Sequence, residues 1–380
     1  MTGAPVFAPP DRAVSAAGRV GRIRDGLAER GATALIVTTP SNIRWATGFT
    51  GSAGTLVIGP SAAWLVTDGR YTDQAARQLA SAGVSDEVEV ITAATVAAQQ
   101  AVIVGLLAGA GPVGAEAAHM SHRQWLSFAG GLDLLAVDGV IEALRRRKDG
   151  IEIEWIAYAC AIADRALAES LHTLVPGVSE REVRDELESR MRRLGADGPS
   201  YETIVASGPD NGAMPHHRPS HRRLAAGDLV VIDVGALVAG HHSDMTRSFV
   251  VGEATTEQRH WFDVVAAAQA AGRAAVAPGV ATAEVDAACR AVFAAEGLEH
   301  LFTHGTGHGV GLDIHEEPFL GRSTTSVLAA GDVVTVEPGL YRVGFGGLRI
   351  EDLVEVTDAG HRVLTTFPKD DPCPPSPPTT

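Results

Sequence analysis

Four acids in this 380-residue chain stand where acids are costly. Asp233 closes the apolar run Leu229-Val230-Val231-Ile232, and Glu337 closes Val333-Val334-Thr335-Val336. After a turn, each run is followed by a second strand carrying another acid, Asp244 in the first case and Glu351 in the second. Mirroring the first hairpin about Val238 and Ala239 sets Asp244 opposite Asp233, and mirroring the second about Gly344 sets Glu351 opposite Glu337. Residues opposed in this way have Cβ atoms roughly 5 Å apart. A carboxylate at the end of so apolar a strand is desolvated at a cost unless a cation or a hydrogen-bond network compensates it. A single acid of this kind is accommodated by solvent or by Arg247 or Arg349. Four converging acids, with no lysine in either strand, repel one another, and a pair of divalent cations resolves that repulsion.

The elements that position these acids are themselves duplicated. Gly227-Asp228-Leu229-Val230-Val231-Ile232-Asp233-Val234-Gly235 recurs as Gly331-Asp332-Val333-Val334-Thr335-Val336-Glu337-Pro338-Gly339. Upstream, Pro176-Gly177-Val178, Val183 and Gly195 correspond to Pro278-Gly279-Val280, Val285 and Gly297. Both upstream stretches have helical periodicity. Ser179 and Glu182 have capping-box spacing ahead of the stripe Val183, Leu187, Met191 and Leu194. Thr282 is the expected N-cap of the second helix, which buries Val285, Cys289, Val292 and Phe293. Residues from about 151 to 356 therefore form two helix-helix-hairpin halves about a pseudo-two-fold axis, with the acids where the two sheets meet.

Between the halves lies His304-Gly305-Thr306-Gly307-His308-Gly309-Val310-Gly311-Leu312-Asp313-Ile314-His315-Glu316. Its glycines let backbone approach a site closely and disfavour a helix, so it is not a zinc-protease helix. The third glycine of a G-x-G-x-x-G fingerprint is missing, so it is not a nucleotide loop. A lone histidine is usually structural. His308 and His315 stand beside a four-acid cluster that needs one more ligand, which makes both functional candidates.

The first 145 residues alternate helical and strand patterns, with a helix near 17 to 30 and strands at 34–37, 55–58 and 64–66, as in an α/β layer. Gly51-Ser52-Ala53-Gly54 lacks the leading glycine and the partners of a nucleophile elbow. The run Arg145-Arg146-Arg147-Lys148 is expected to be a solvated helix face at the junction. Ala101 to Ala110 is half a membrane span and is expected to be a buried helix. The domain boundaries that follow are 1–145, 150–366 and a Pro-rich tail, 367–380, expected to be extended or disordered.

Composition is that of a globular protein, 45% hydrophobic and 20% charged. A formal charge of -15 argues against nucleic-acid or anionic-membrane binding. Three scattered cysteines, Cys160, Cys289 and Cys373, give neither a disulfide framework nor a zinc knuckle. The early prolines and Asp11 do not make a secretory signal. A cytoplasmic location is expected.

The set Asp233, Asp244, His308, Glu337 and Glu351, with the phrases His304 to Gly311 and Glu337-Pro338-Gly339, resembles the creatinase and methionine aminopeptidase superfamily, the "pita-bread" metallopeptidases. Within it the chain is similar to the Xaa-Pro aminopeptidases and Xaa-Pro dipeptidases (prolidases) over most of residues 30 to 366. Asn42-Ile43-Arg44 and Thr47 to Gly54 resemble their N-terminal domain, and Ile204 to Pro209 running into Pro215-His216 resembles their substrate-facing segment. The resemblance implies an α+β fold, in which a pita-bread catalytic domain follows a smaller α/β domain. It implies that Asp244 and Glu351 bridge two metals, that Asp233 holds one, and that His308 and Glu337 hold the other. It also implies a homodimer and a proline-containing peptide substrate.

Oxygen-rich ligation with one imidazole suits manganese, and zinc, cobalt or iron(II) bind such sets too. Two ions that share a water lower its pKa and clamp a carbonyl. Glu337 is the natural general base. His216 and His315 then hold substrate or stabilise the oxyanion, and Arg349, on the same strand face as Glu351, orients carboxylates. The competing readings are a same-fold hydrolase of a small non-peptide amide or amidine and a catalytically silent peptide-binding module. The complete ligand set disfavours both. Methionine aminopeptidase fits less well because of the large N-terminal domain.

Overall fold

The computed structural model describes residues 8–373, and its contacts divide into two compact units, residues 11–145 and the chain from residue 146 onward. The first unit runs α1 (Arg19–Ala28), β1 (Ala34–Val37), α2 (Pro40–Thr47), β2 (Gly54–Ile58), β3 (Ala63–Thr67), α3 (Thr72–Ser81), β4 (Glu89–Thr92), α4 (Val96–Leu106), β5 (Val113–Ala115), α5 (His122–Ala129), β6 (Leu134–Ala136) and α6 (Val140–Arg145). Its strands form one mixed sheet in the order β4-β3-β2-β1-β5-β6. β1 lies near the middle and is buried throughout, which explains an uninterrupted apolar strand.

Two local expectations fail in this unit. In α4 only Ile103 is buried and Val96 is 69% exposed, so the helix is half-covered. Arg145 is no solvated residue either: it is buried at the end of α6 and donates to Ser41 Oγ and Asn42 Oδ1 at 2.9 and 2.6 Å. Ser52 bonds the Tyr71 hydroxyl at 2.6 Å in the loop before β2.

The second unit contains α7 (Gly150–Ser170), α8 (Glu180–Arg193), β7 (Gly198–Pro199), β8 (Ile204–Ser207), the short α9 (Gly208–Asn211), β9 (Leu229–Asp233), β10 (Ala236–Val238), β11 (His241–His242) and β12 (Thr246–Val250). It continues with α10 (Thr256–Ala275), α11 (Thr282–Ala295), β13 (Gly307–Gly309), β14 (Glu316–Leu320), β15 (Val333–Val336), β16 (Gly339–Arg342), β17 (Gly346–Arg349), β18 (Asp352–Thr357) and β19 (Gly360–Val363). The sheets run β12-β9-β8 and β11-β10-β7 in one half, β14-β13-β15-β18-β19 and β16-β17 in the other. Each half has its own core. One gathers Val183, Leu187 and Met191 of α8 under β9, and the other gathers Val285, Cys289 and Phe293 of α11 under β15.

The duplication extends to individual hydrogen bonds. Gly177 N donates to Leu224 O at 2.9 Å, and Gly279 N to Leu328 O at 2.8 Å. Asp228 accepts from Ala225 N at 2.7 Å, and Asp332 from Ala329 N at 2.8 Å. Both glycines have positive φ, 95° and 85°, which an L side chain rarely adopts. The caps differ. Ser179 and Glu182 form the expected box on α8, whereas α11 is capped by Ala281, and Thr282 is its first residue, bonded to Thr324 Oγ1 and Ser326 O.

Arg146 and Lys148 of the basic run are tied into this unit, while Arg147 is exposed as expected. Arg146 donates both arms of its fork to Asp332, at 2.8 and 2.6 Å, and Lys148 pairs with Glu316 in a buried contact. The start of the tail is packed as well: Pro372 O accepts from Val250 N at 2.7 Å, and Lys369 bonds Gln269 at 2.8 Å and Asp352. Pro374, Pro375, Pro377 and Pro378 lie outside the described residues. No helix among the described residues is long and apolar enough to cross a membrane.

Candidate metal centre

The two hairpins deliver their acids by different routes. In the second, the ladder Arg342↔Gly346 to Gly339↔Arg349 continues, across a break between sheets, as Val336↔Asp352. Glu337 and Glu351 fall opposite each other in that break, as the mirror about Gly344 predicts. In the first hairpin the expected pairing is wrong by two residues, because the turn is centred one residue further along. Ala239 and Gly240 form a two-residue turn with φ of 47° and 76°, Val238 pairs with His241, and Asp233 therefore pairs with Thr246. A turn one residue further along shifts every partner. Asp244 comes instead from the irregular stretch between β11 and β12. It reaches Asp233 through Tyr201, whose hydroxyl contacts both carboxylates, Asp244 at 2.5 Å.

One cavity of about 480 Å³ is lined by all eight residues singled out from the sequence, Asp233, Asp244, His308, Glu337 and Glu351 together with His216, His315 and Arg349. Single donor atoms of Asp244, His308 and Glu351 lie within 4.8 Å of one another, and all three residues are buried. His308 Nε2 is 3.5 Å from Asp244 Oδ2 and 3.6 Å from Glu337 Oε1. Its Nδ1 bonds Gly309 O at 3.0 Å, which assigns the proton to Nδ1 and turns the Nε2 lone pair toward the acids. Gly307 permits this approach: a Cβ there would meet Thr335 Oγ1 at 2.8 Å.

Electrostatics shows that the acids are built for neutralisation. Burial raises the pKa of Asp244 well above the carboxylate range, and Asp233 and Glu337 add to the shift. Glu351 is raised in the same way, by burial and then by Asp244 and Glu337. Burial lifts Glu337 to about 7, partly opposed by Arg349. Burial lowers His308 to about 4, so its imidazole is neutral at physiological pH and free to ligate. Because that ring is neutral, its contacts with Asp244 and Glu337 are a donor set rather than ion pairs. Crowded buried carboxylates beside a neutral imidazole fit divalent cations.

The supporting groups hold each acid at its other lone pairs. Arg349 Nη2 donates to Asp233 Oδ2 at 2.7 Å, while its Nε, Nη1 and again Nη1 reach Thr246 Oγ1, Tyr341 Oη and Pro215 O at 3.0, 2.8 and 3.0 Å. Arg349 thus orients an acid of the other half rather than Glu351 beside it. Glu351 accepts from Thr246 Oγ1 at 2.7 Å, and Glu337 from Thr335 Oγ1 at 3.3 Å. The His308 and His315 rings meet edge-on at 4.3 Å. His216 and His315 are exposed toward the cavity. Their neighbours are engaged elsewhere: His217 bonds Glu180 and His221 bonds Arg181, both at 3.0 Å. Tyr201, Thr246 and Tyr341 went unnoticed in the sequence. Only Thr246 had a signal, its place opposite Asp233 once the turn is known.

These features define a carboxylate-rich metallohydrolase site on a duplicated α+β scaffold. Residues 154–358 match metallopeptidase family M24, and residues 19–147 match the creatinase/prolidase N-terminal domain. The chain belongs to metallopeptidase family M24. It is 37% identical over 352 residues to the uncharacterized peptidase YqhT of Bacillus subtilis, covering 92% of this chain and 98% of that one. It is 42% identical over 229 residues to an Xaa-Pro dipeptidase of Pyrococcus furiosus, covering 60% and 66%. The solved structure of an Xaa-Pro dipeptidase from Bacillus anthracis superposes with a TM-score of 0.90 at 35% identity, covering 94% of this chain and 99% of that one. The pita-bread fold expected from the sequence is thereby borne out.

Proposed function

We propose that this chain is a metal-dependent Xaa-Pro peptidase that cleaves the peptide bond before proline, with the dipeptide as its preferred substrate. The observation that carries the reading is the convergence of Asp233, Asp244, His308, Glu337 and Glu351 in one cavity whose wall also includes the apolar side chains of Ile204, Pro215, Phe319 and Leu320. Those five residues would hold two divalent ions. Bound there, the ions supply Lewis acidity toward the scissile carbonyl and lower the pKa of an attacking water. Glu337, on the cavity wall, would take a proton from the attacking water and deliver it to the leaving proline nitrogen. His315 and His216 donate hydrogen bonds to substrate oxygen as charge develops, and Arg349 keeps Asp233 in place throughout. Similarity to the Xaa-Pro dipeptidases of Bacillus anthracis and Pyrococcus furiosus supports the substrate class.

Manganese as the resident ion, a homodimer and a cytoplasmic location belong to the same reading. The oxygen-rich donor set supports the first, and net charge is compatible with the last. The decisive assay compares Gly-Pro, Gly-Pro-Pro and Gly-Ala after loading with manganese, zinc, cobalt or iron(II). Gly-Pro is expected to be cleaved fastest, with manganese most effective. Equal cleavage of Gly-Ala would remove the proline reading, and faster cleavage of Gly-Pro-Pro would make the enzyme an aminopeptidase. Light scattering on the same sample reports the oligomeric state.

A further inference from the structure

Glu180, the first residue of α8, is fully buried and is not among the residues lining the metal cavity. Seven hydrogen bonds from four residues converge on its carboxylate. Oε1 accepts from Ser207 N, Ser207 Oγ and Asn211 Nδ2 at 2.9, 2.7 and 3.0 Å. Oε2 accepts from Ser220 N, Ser220 Oγ, Asn211 Nδ2 and His217 Nε2 at 2.9, 2.7, 3.2 and 3.0 Å. The donors are strung along one stretch of chain, from the end of β8 through α9 to Ser220, and that stretch carries His216. Charge-assisted bonds of this kind are roughly twice as strong as neutral ones and fix geometry closely.

The repeat marks the position as special. Glu180 N donates to Arg222 O at 3.1 Å, and in the second half Thr282 N donates to Ser326 O at 2.9 Å, so Thr282 is the structural counterpart of Glu180. Thr282 makes two side-chain bonds where Glu180 makes seven. The backbone role is shared by both halves, and the carboxylate serves only the half that carries His216. With the His217 ring drawn to Glu180, its neighbour His216 is left facing the cavity. On the cavity side, Arg349 Nη1 holds Pro215 O at 3.0 Å.

We propose that Glu180 is a positioning residue for His216: by gathering Ser207, Asn211, His217 and Ser220 it holds the segment 208–220 so that His216 faces substrate at the metal centre. The proposal rests on the peptidase reading for the role of His216. The geometry also names the discriminating substitution. Every partner of Glu180 is a donor, so Glu180→Gln keeps the shape and sets an amide NH₂ against the N–H of either Ser207 or Ser220.

The test uses the full-length, metal-loaded protein and the variants Glu180→Gln, His216→Ala and the double variant, with Gly-Pro turnover, metal content and hydrogen–deuterium exchange measured on each. Glu180→Gln is expected to keep its metal, to lower kcat/KM at least tenfold, and to speed exchange in 208–220 by tenfold or more while 229–250 is unchanged. In the His216→Ala background the same change is expected to alter kcat/KM less than twofold, because the group it positions is gone. Equal losses in both backgrounds, or unchanged exchange in 208–220, would overturn the proposal. If Glu180→Gln does not accumulate, Ser220→Ala removes one hydroxyl donor and is expected to show the same pattern at smaller amplitude; additive losses would overturn the proposal there too. A wild-type protein inert toward Gly-Pro defeats the substrate reading instead, and the exchange comparison then upholds or overturns the anchoring by itself.

Discussion

Arg349 Nη2 lies 2.7 Å from Asp233 Oδ2, joining the last residue of β17 in the second half to the last residue of β9 in the first. The same guanidinium also reaches Thr246, Tyr341 and Pro215, so one planar fork orders an acid, a hydroxyl that holds Glu351, and the segment bearing His216. A lysine is a point charge and cannot span these directions. Arg349→Lys is expected to weaken metal affinity by about 10- to 100-fold and to lower turnover at saturating metal. Calorimetric metal titration and steady-state kinetics check this, and wild-type affinity in the variant would show that Arg349 does not orient Asp233.

Metal removal has an electrostatic consequence for stability. Buried acids that raise one another's pKa destabilise the native state at neutral pH unless cations neutralise them. Chelation is expected to abolish hydrolysis and to lower Tm, because an ion present at 100 times its Kd stabilises by about 2.7 kcal/mol. Asp233→Asn and Glu351→Gln are each expected to lose at least one of two ions. Elemental analysis with calorimetry decides; a metal content near zero in a fully active enzyme would sink the mechanism.

Glu337 is assigned both as ligand and as base. Glu337→Gln keeps an oxygen donor and cannot take a proton, so metal is retained at lower affinity while turnover falls by about 10² to 10⁴. Near wild-type turnover in that variant would transfer the base role to another group.

The two histidines that meet edge-on are expected to separate cleanly. His308, with Nε2 turned toward Asp244 and Glu337, is assigned as ligand, and His315, exposed on the cavity wall, as a transition-state donor. His308→Ala should lose metal affinity first and activity as a result. His315→Ala should keep two ions and lose about 10² or more in rate. The reverse pattern, measured by metal content and turnover, would exchange the assignments.

Glu180 gives a pH prediction away from the metal. Burial acts to raise its pKa, but the bonds from Ser220, Ser207 and Asn211 outweigh it and hold the carboxylate at about 2, against an ordinary 4.5. A depressed carboxylate contributes stability that is present above the unfolded pKa and is lost as pH falls through the folded one. The Tm advantage of wild type over Glu180→Gln is therefore expected to be full above pH 4.5 and to shrink as pH falls toward 2. Thermal unfolding across that window checks it; a constant difference would show that the carboxylate charge carries none of the stability.

Local pattern alone determined the repeat, the capping box on α8, the apolar stripes of α8 and α11, and the types of the acids and histidines. Each of these depends on residues a few positions apart, where periodicity and side-chain reach are set by the backbone itself. The second hairpin was legible as far as the opposition of Glu337 and Glu351, because Gly344 marks its centre. Only the tertiary structure decided the rest. The turn at Ala239-Gly240 is centred one residue further along and so moved every partner in the first hairpin by two, and no local signal separates two turn placements whose strands are equally apolar. His216 was distinguished from His217 and His221 by Glu180 and Arg181, which lie more than thirty residues upstream. Tyr201 joined Asp233 to Asp244, and Arg146 and Lys148 left solvent for Asp332 and Glu316. Sequence states which side chains are available, but a pairing between distant residues is fixed only when burial removes water as the alternative partner.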